Sequence, residues 1–88
     1  MTRSLAVEFG LRNPRVRVNC IQPGPVMLPE GMSMEEREWV VQHTLVKRQG
    51  RTDDVAGAVL YLVQSEFVTG ICLTVDGGRT VYAAEDVR

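Results

Sequence analysis

The pattern of apolar and polar residues predicts two short strands. Residues 16–22 and 71–75 are rich in apolar and β-branched side chains, which favour strands. Pro23 cannot donate a hydrogen bond to a sheet, so pairing of the first strand is expected to end there. Helices lie between the two strands, which predicts a parallel pair with a crossover connection. Parallel sheets need further strands and cover on both faces, so we expect residues 1–88 to be the carboxyl-terminal part of a larger α/β domain.

The two ends of the chain differ in helical pattern. Residues 1–9 carry an apolar stripe without a capping residue before it, and Gly10 is expected to end that helix. Residues 82–88 have no clear period. One interpretation is that the tail formed by residues 80–88 folds back over the second strand of the same chain and covers its edge.

The strongest helical pattern follows Thr52, which is expected to cap a helix ending near residue 65. Asp53 and Asp54 lie in its first turn, where carboxylates favour the positive end of the helix dipole, a structural role rather than a catalytic one. Gly57 predicts close packing against a neighbouring backbone. The helix is expected to face the sheet with a stripe made of Val55, Val59, Leu62 and Val63.

A third helix is short and polar and follows a loop rich in proline and glycine. Ser33 and Glu36 match a capping box, and the helix is expected to end near residues 45–46. A capped helix in a long loop is typical of a substrate lid, here residues 24–50. A surface excursion without function is the alternative.

The turn after the first strand is the candidate ligand site. Ligands of open α/β sheets lie just beyond the carboxyl ends of the strands, and Gly24 follows Pro23 at such an end. Glycine allows close approach of a flat ligand to the backbone. An ordinary strand-terminating turn is the other interpretation.

Composition narrows the range of partners. The chain has 88 residues and a net charge of −1, which argues against nucleic acid, and it has no apolar run of membrane length. Its arginines, Arg17 among them, are interpreted as part of solvated faces. Cys20 and Cys72 lie in apolar runs and are expected to be small buried residues of a cytoplasmic protein. His43 is the single histidine, so no metal site is expected.

Five motifs in this order resemble the carboxyl-terminal third of a short-chain dehydrogenase/reductase. The motifs are Ser4-Leu5-Ala6-Val7-Glu8, Arg17-Val18-Asn19-Cys20-Ile21-Gln22-Pro23-Gly24, Asp54-Val55-Ala56, Val68-Thr69-Gly70 and Val75-Asp76-Gly77-Gly78. The run from Pro23 to Pro29, with Trp39 and Arg51 after it, is most similar to the pteridine-reductase branch.

The resemblance implies a doubly wound, Rossmann-like parallel sheet, to which this chain supplies the last two strands. It implies hydride transfer between NADP or NAD and a carbonyl, alcohol or pteridine-like small molecule, with NADP favoured. The cofactor-binding residues would be Pro23, Gly24, Pro25 and Val26, with the Val26 backbone holding the nicotinamide carboxamide. Many family members carry Thr or Ser where Leu28 stands, so one cofactor contact would be lost.

The same resemblance implies a lid and a subunit interface. The substrate lid would include Met27, Leu28, Met32 and Trp39. A homo-oligomer, expected to be a tetramer, would form through the long helix and the last strand by way of Leu60, Tyr61, Leu73 and Val75. Tyrosine suits such a contact because its ring buries area while its hydroxyl keeps a partner.

The family's catalytic Ser and Tyr-x-x-x-Lys pair would lie upstream of these residues. Neither Tyr61 nor Tyr82 has a lysine four positions later, and Lys47 is the only lysine. The segment by itself is therefore expected to catalyse nothing and to act as part of a complete NAD(P)-dependent oxidoreductase. Two alternatives stay open: a truncated binding module that uses its exposed sheet edge, and an unrelated domain with the same element order.

Overall fold

The computed structural model describes the backbone of residues 1–86 and the side chains of residues 1–82. The chain forms α1 (Thr2–Arg12), β1 (Cys20–Pro23), α2 (Met34–Gln42), α3 (Thr52–Gln64), β2 (Cys72–Val75) and α4 (Arg79–Asp86). The two strands pair in parallel, with Cys20 opposite Cys72 and Pro23 opposite Val75. The predicted α/β architecture is confirmed.

β1 begins at Cys20, four residues later than predicted. Before Cys20, the Asn19 side chain takes the place of part of the backbone hydrogen bonding between the strands. The Asn19 amide donates to the Val68 carbonyl at 3.0 Å and accepts from the Ile71 N–H at 3.2 Å. The Val18 N–H donates to the Thr69 hydroxyl at 3.1 Å instead of to a backbone carbonyl. The strands therefore pair regularly only toward their carboxyl ends, and pairing ends at Pro23 as expected.

α1 runs past Gly10, so the predicted stop there is wrong. The helix ends at Arg12, and the Asn13 N–H still bonds the Phe9 carbonyl at 2.9 Å. Asn13 is extended, with φ −151° and ψ 111°, as a residue before proline usually is. Pro14, rather than Gly10, therefore sets the end of the helix.

The capping box that starts α2 is confirmed: the Glu36 N–H donates to the Ser33 hydroxyl at 3.1 Å. The helix nevertheless ends at Gln42, short of the predicted residues 45–46. Thr44, only 1% exposed, turns its hydroxyl back onto the Val41 carbonyl at 2.8 Å. Lys47 then takes a left-handed conformation with φ 57°, which a helix cannot continue through.

Both ends of α3 are capped by charged side chains. Thr52 is the first helical residue rather than the cap, and the Asp54 carboxylate accepts the N–H of Arg51 at 2.7 Å. This contact gives Asp54 the structural role predicted for it, and Asp53 lies in the first turn as predicted. At the other end, the Arg17 guanidinium donates to the Leu62 and Val63 carbonyls at 2.8 and 3.0 Å. The interpretation of Arg17 as part of a solvated face is therefore wrong.

α4 forms in the tail for which no period was predicted. The Asp76 carboxylate accepts the N–H groups of Gly78 and Thr80, each at 2.9 Å, so a capping interaction outside the helix starts it. Of the tail that was expected to fold over β2, Val87 and Arg88 lie outside the described residues.

Little of the apolar surface is covered. Among residues 1–82, Ala6 and Leu62 are the buried apolar side chains. Val59 and Val63 are 46% and 64% exposed, so half of the stripe predicted to face the sheet is open. Cys20 is half-buried and Cys72 exposed, against expectation, because no described element covers that face of β2. A Cβ on Gly57 would meet nothing within 4 Å, so its predicted close packing is absent from this part of the protein.

Among residues 1–86, no helix combines the length and apolar character that crossing a membrane requires.

Candidate functional site at the carboxyl ends of the strands

The ends of β1 and β2 meet at Gly24 and Asp76. The Gly24 N–H donates to the Val75 carbonyl at 2.9 Å and continues the ladder beyond Pro23. A Cβ on Gly24 would lie 2.6 Å from the Cα and the Cβ of Asp76, closer than atoms can approach. Glycine is therefore required here by the neighbouring strand end.

Residues 48–50 lie over the segment that leaves β1. The Gly50 N–H donates to the Pro25 carbonyl at 2.9 Å, and the Gln49 side-chain amide donates to the Val26 carbonyl at 2.6 Å. A Cβ on Gly50 would come 3.1 Å from Cγ2 of Val26. Two successive carbonyl groups after β1 are thus held by two successive residues before α3.

The turn after β2 holds the chain that leaves α2. The Gly77 carbonyl accepts from the Leu45 N–H at 2.8 Å and from the Val46 N–H at 3.2 Å. Gly77 and Gly78 have φ of 63° and 85°, which favours glycine. A Cβ on Gly78 would also lie 2.7 Å from Cδ1 of Leu45. The carboxyl end of the predicted lid is therefore anchored to β2.

The charged groups of this edge are paired or capped. Arg48 forms an ion pair with Asp54 at 3.0 Å, and this hydrogen bond, with that from the Arg51 N–H, lowers the pKa of Asp54 to about 2. The same pair raises the pKa of Arg48. Hydrogen bonds from the Thr80 hydroxyl and N–H lower the pKa of Asp76. Both carboxyls are therefore ionised at neutral pH and accept hydrogen bonds from their neighbours.

Two clefts flank the segment 23–26. A cleft of about 190 Å³ lies on the side of Arg48, Asp54 and Asp76 and is walled by Gly24, Pro25 and Val26. A more apolar cleft of about 470 Å³ lies on the side of α3. It is lined by Pro23, Gly24, Val26, Met27, Thr52, Val55 and Ala56. The four predicted cofactor residues thus lie together between two open spaces at the carboxyl edge.

The four predicted lid residues are not in one place. Met27 lines the apolar cleft, whereas Met32 and Trp39 line a separate depression along α2. Leu28 is half-buried between them in the chain. The structure thus joins Met27, but not Met32 or Trp39, to the residues of the strand end.

An aromatic cluster that the sequence pattern did not predict links α2 to α4. The Trp39 and His43 rings stack with centroids 3.9 Å apart, and Tyr82 meets His43 edge-on at 5.9 Å. Two cations complete the cluster: Lys47 Nζ lies 5.2 Å from the Tyr82 ring, and the Arg79 guanidinium lies 5.7 Å from the Trp39 ring. The stacking of Trp39 on His43 could have been predicted from their spacing of four residues, since such positions are neighbours on a helix.

Of the four predicted interface residues, Leu60, Tyr61 and Leu73 lie away from the site, whereas Val75 lines the smaller cleft and its carbonyl accepts from the Gly24 N–H. Leu60 and Tyr61 are 55% and 53% exposed on α3, and Leu73 and Val75 are half-buried in β2. Sequence reasoning missed Arg48 and Gln49 at the strand end. Their contacts with residues of other elements leave no periodic signal in the sequence.

Comparison with known proteins agrees with this geometry. Residues 1–80 match the family model described as enoyl-(acyl carrier protein) reductase. The chain is 36% identical over 88 residues to glucose 1-dehydrogenase of Gluconobacter oxydans (strain 621H), covering 93% of this chain and 32% of that protein. It is 39% identical over 95 residues to the peroxisomal 2,4-dienoyl-CoA reductase of Danio rerio, covering 100% of this chain and 31% of that protein.

A solved structure gives the same result. A short-chain dehydrogenase from Bacillus anthracis superimposes with a TM-score of 0.76 at 38% identity, over 91% of this chain and 32% of that one. The chain thus spans about a third of the length of the relatives it matches. Its parallel strands and flanking helices are part of a Rossmann-type fold, and the chain belongs to the short-chain dehydrogenase/reductase family.

Proposed function

We propose that this chain is the nicotinamide-contacting, carboxyl-terminal part of an NAD(P)-dependent oxidoreductase. The observation that carries the proposal is the position of Pro23, Gly24, Pro25 and Val26 at the carboxyl ends of paired parallel strands, with an open cleft on each side. Ligands of doubly wound sheets bind at this edge. Catalytic proton transfer is assigned to residues outside this chain, because the charged groups at the edge are already paired or capped.

Cofactor binding by the complete enzyme tests the proposal. Val26 lines both clefts, so Val26→Trp should fill the space beside the segment and weaken NADPH or NADH binding at least tenfold. Val81→Trp, at a valine that is 63% exposed on α4, is the matched control and should bind as the wild type does. Cofactor affinity is measured by titration, from quenching of protein fluorescence or energy transfer to the bound cofactor. Melting temperatures confirm that both variants are folded. Failure of the wild-type enzyme to bind either cofactor would refute the proposal.

The substrate proposed is a small carbonyl, alcohol or pteridine-like molecule, with NADP as the favoured cofactor. The motif from Pro23 to Pro29 supports the pteridine-reductase branch. The named relatives are a glucose dehydrogenase and a dienoyl-CoA reductase, so family membership alone allows several substrates. Oxidation of NADPH and NADH with dihydropteridine and ketone substrates, and reduction of NADP+ and NAD+ with alcohol and sugar substrates, both followed at 340 nm, discriminate among them. A cytoplasmic location belongs to this proposal, supported by the two free thiols.

Residues 24–50 are proposed as the substrate lid of this domain. Anchoring of Leu45 and Val46 to Gly77 fixes one end, and Arg37 of α2 donates to the carbonyls of Pro29 and Met32, so the loop and α2 should move together. Trp39 is 55% exposed and should change its fluorescence when a substrate or inhibitor closes the lid. If the Trp39 fluorescence does not change at a saturating ligand concentration, α2 is a fixed part of the fold and the lid proposal is wrong.

A homotetramer through α3 and β2 is proposed as the assembly. Leu60 and Tyr61 are more than half exposed, and apolar surface of this kind is typical of a subunit contact. Light scattering on the complete protein should show an oligomer at micromolar concentration, and Tyr61→Asp should weaken it. A wild-type monomer under these conditions would refute the interface.

A further inference from the structure

Gln49 holds the peptide group that follows Val26. Its side-chain amide donates to the Val26 carbonyl at 2.6 Å, and its next neighbour, Gly50, donates a backbone N–H to the Pro25 carbonyl at 2.9 Å. Gln49 is half-buried, so this contact is partly shielded from water. A shielded hydrogen bond restrains its partners more than a solvated one.

These two bonds orient two successive peptide planes. In a trans peptide the C=O and N–H groups point in opposite directions, so fixing a carbonyl also fixes the N–H of the next residue. The bond to Pro25 thereby aims the Val26 N–H, and the bond to Val26 aims the Met27 N–H. Within residues 1–82, neither of these N–H groups donates a hydrogen bond.

Unpaired backbone donors beside a cleft point to a ligand that can accept from them. Val26 is half-buried and lines both clefts, and native proteins seldom leave such an N–H without a partner. A carboxamide oxygen is a suitable acceptor. The backbone of 26–27 is therefore set to donate to a ligand before that ligand arrives.

We infer that Gln49 is a positioning residue for the nicotinamide carboxamide, acting through the peptide group between Val26 and Met27, while Gly50 sets the Val26 N–H through the Pro25 carbonyl. The inference rests on the proposed function. Gln49 fixes the peptide plane and does not itself touch the reacting atoms. Loss of its donor would let the 26–27 backbone rotate, which should weaken the contact and misalign the ring for hydride transfer.

The experiment compares cofactor with a fragment that lacks the nicotinamide ring, using the complete enzyme. Gln49→Met keeps the length of the side chain and removes the donor, and it should lower affinity for the preferred NAD(P)H about tenfold. Affinity for ADP-ribose, or for its 2′-phosphate if NADP is preferred, should stay unchanged. Gln49→Lys restores a donor of similar reach and should recover most of the lost affinity.

Gln64→Met is the matched control, because Gln64 is exposed and its side chain makes no hydrogen bond within the described part of the chain. It should bind both ligands as the wild type does. Equal losses for NAD(P)H and for the ring-less fragment in Gln49→Met would overturn the inference, since Gln49 would then only support the fold. Unchanged NAD(P)H affinity would also overturn it, whereas a wild type that binds no nicotinamide cofactor would instead refute the proposed function.

Discussion

The carboxyl edge of the strand pair and the outer faces of the molecule are built in different ways. At the edge, Gly24 lies against Asp76 and the loop 48–50 bonds the backbone of 25–26. On the outer faces, Val63 of α3 is 64% exposed and Phe67 after it is fully exposed. The backbone of the edge is held in place by contacts within the chain, whereas apolar side chains on the outer faces are exposed to water.

The candidate site and the overall stability of the chain therefore depend on different interactions. The candidate site depends on hydrogen bonds and close backbone approach that residues 17–80 supply to one another. Stability depends on burial of apolar surface, and Ala6 and Leu62 are the only apolar side chains buried among residues 1–82. Residues 1–82 thus combine an ordered edge with little buried apolar surface, in a chain that spans about a third of the length of its relatives.

The largest expected effect comes from producing these 88 residues alone. With its apolar faces open and its strand edges unpaired, the isolated segment should be aggregated or partly folded. Thermal unfolding followed by circular dichroism should show a broad change, and light scattering should detect association. A sharp two-state transition from a monomer would show that the edge alone can sustain the fold.

Gly24→Ala should be the most damaging single substitution at the edge. The new Cβ would lie 2.6 Å from Asp76, so the strand ends must separate, at a cost of about 3 kcal/mol in the free energy of unfolding of the protein. Gly57→Ala is the control: its Cβ meets nothing, and it should stabilise α3 by roughly 1 kcal/mol. Destabilisation by Gly57→Ala would instead reveal a neighbour outside this chain.

Arg17→Met should remove the cap of α3 and keep most of the side-chain volume. Its guanidinium donates to the carbonyls of Leu62, Val63 and Val68, and hydrogen bonds from a charged donor contribute about 2 kcal/mol each at most sites. We expect a total loss of about 2 kcal/mol, since water replaces part of these bonds, measured by urea unfolding. Arg15→Met, at an exposed arginine nearby, should change little.

The smallest effect concerns Asp54 and pH. The pKa of its carboxyl is lowered to about 2 from an ordinary 3.8, so the ionised form stabilises the start of α3. This stabilisation is complete above about pH 4 and is lost as pH falls toward about 2. The melting temperature of Asp54→Asn should therefore lie below that of the wild type at pH 7, with the gap narrowing in acid. A gap independent of pH would contradict this, and Asp53→Asn should show a smaller gap at pH 7.

Local signals predicted the elements well, and contacts between distant residues were missed. The capping box of Ser33 and Glu36 lies within four residues and is confirmed, and the end of α3 near residue 65 is correct. The start of β1 was wrong because Asn19 bonds residues far along the chain. At the candidate site, the strand-end segment is placed as predicted at the carboxyl edge, but the reason for Gly24 is the approach of Asp76, which no local pattern encodes.

The bonds of Arg17 and Asn19 also bear on how the protein forms. Their partners lie 45 to 52 residues later in the chain, so the bonds cannot form until α3 and the turn after it exist. Closing so long a loop has an entropic cost that precedes any gain from the contacts. At ribosomal rates of about 5–20 residues per second, β1 would wait roughly 3–10 s for its partner. The strand pair should therefore be among the last parts of the fold to assemble, after α3 has formed.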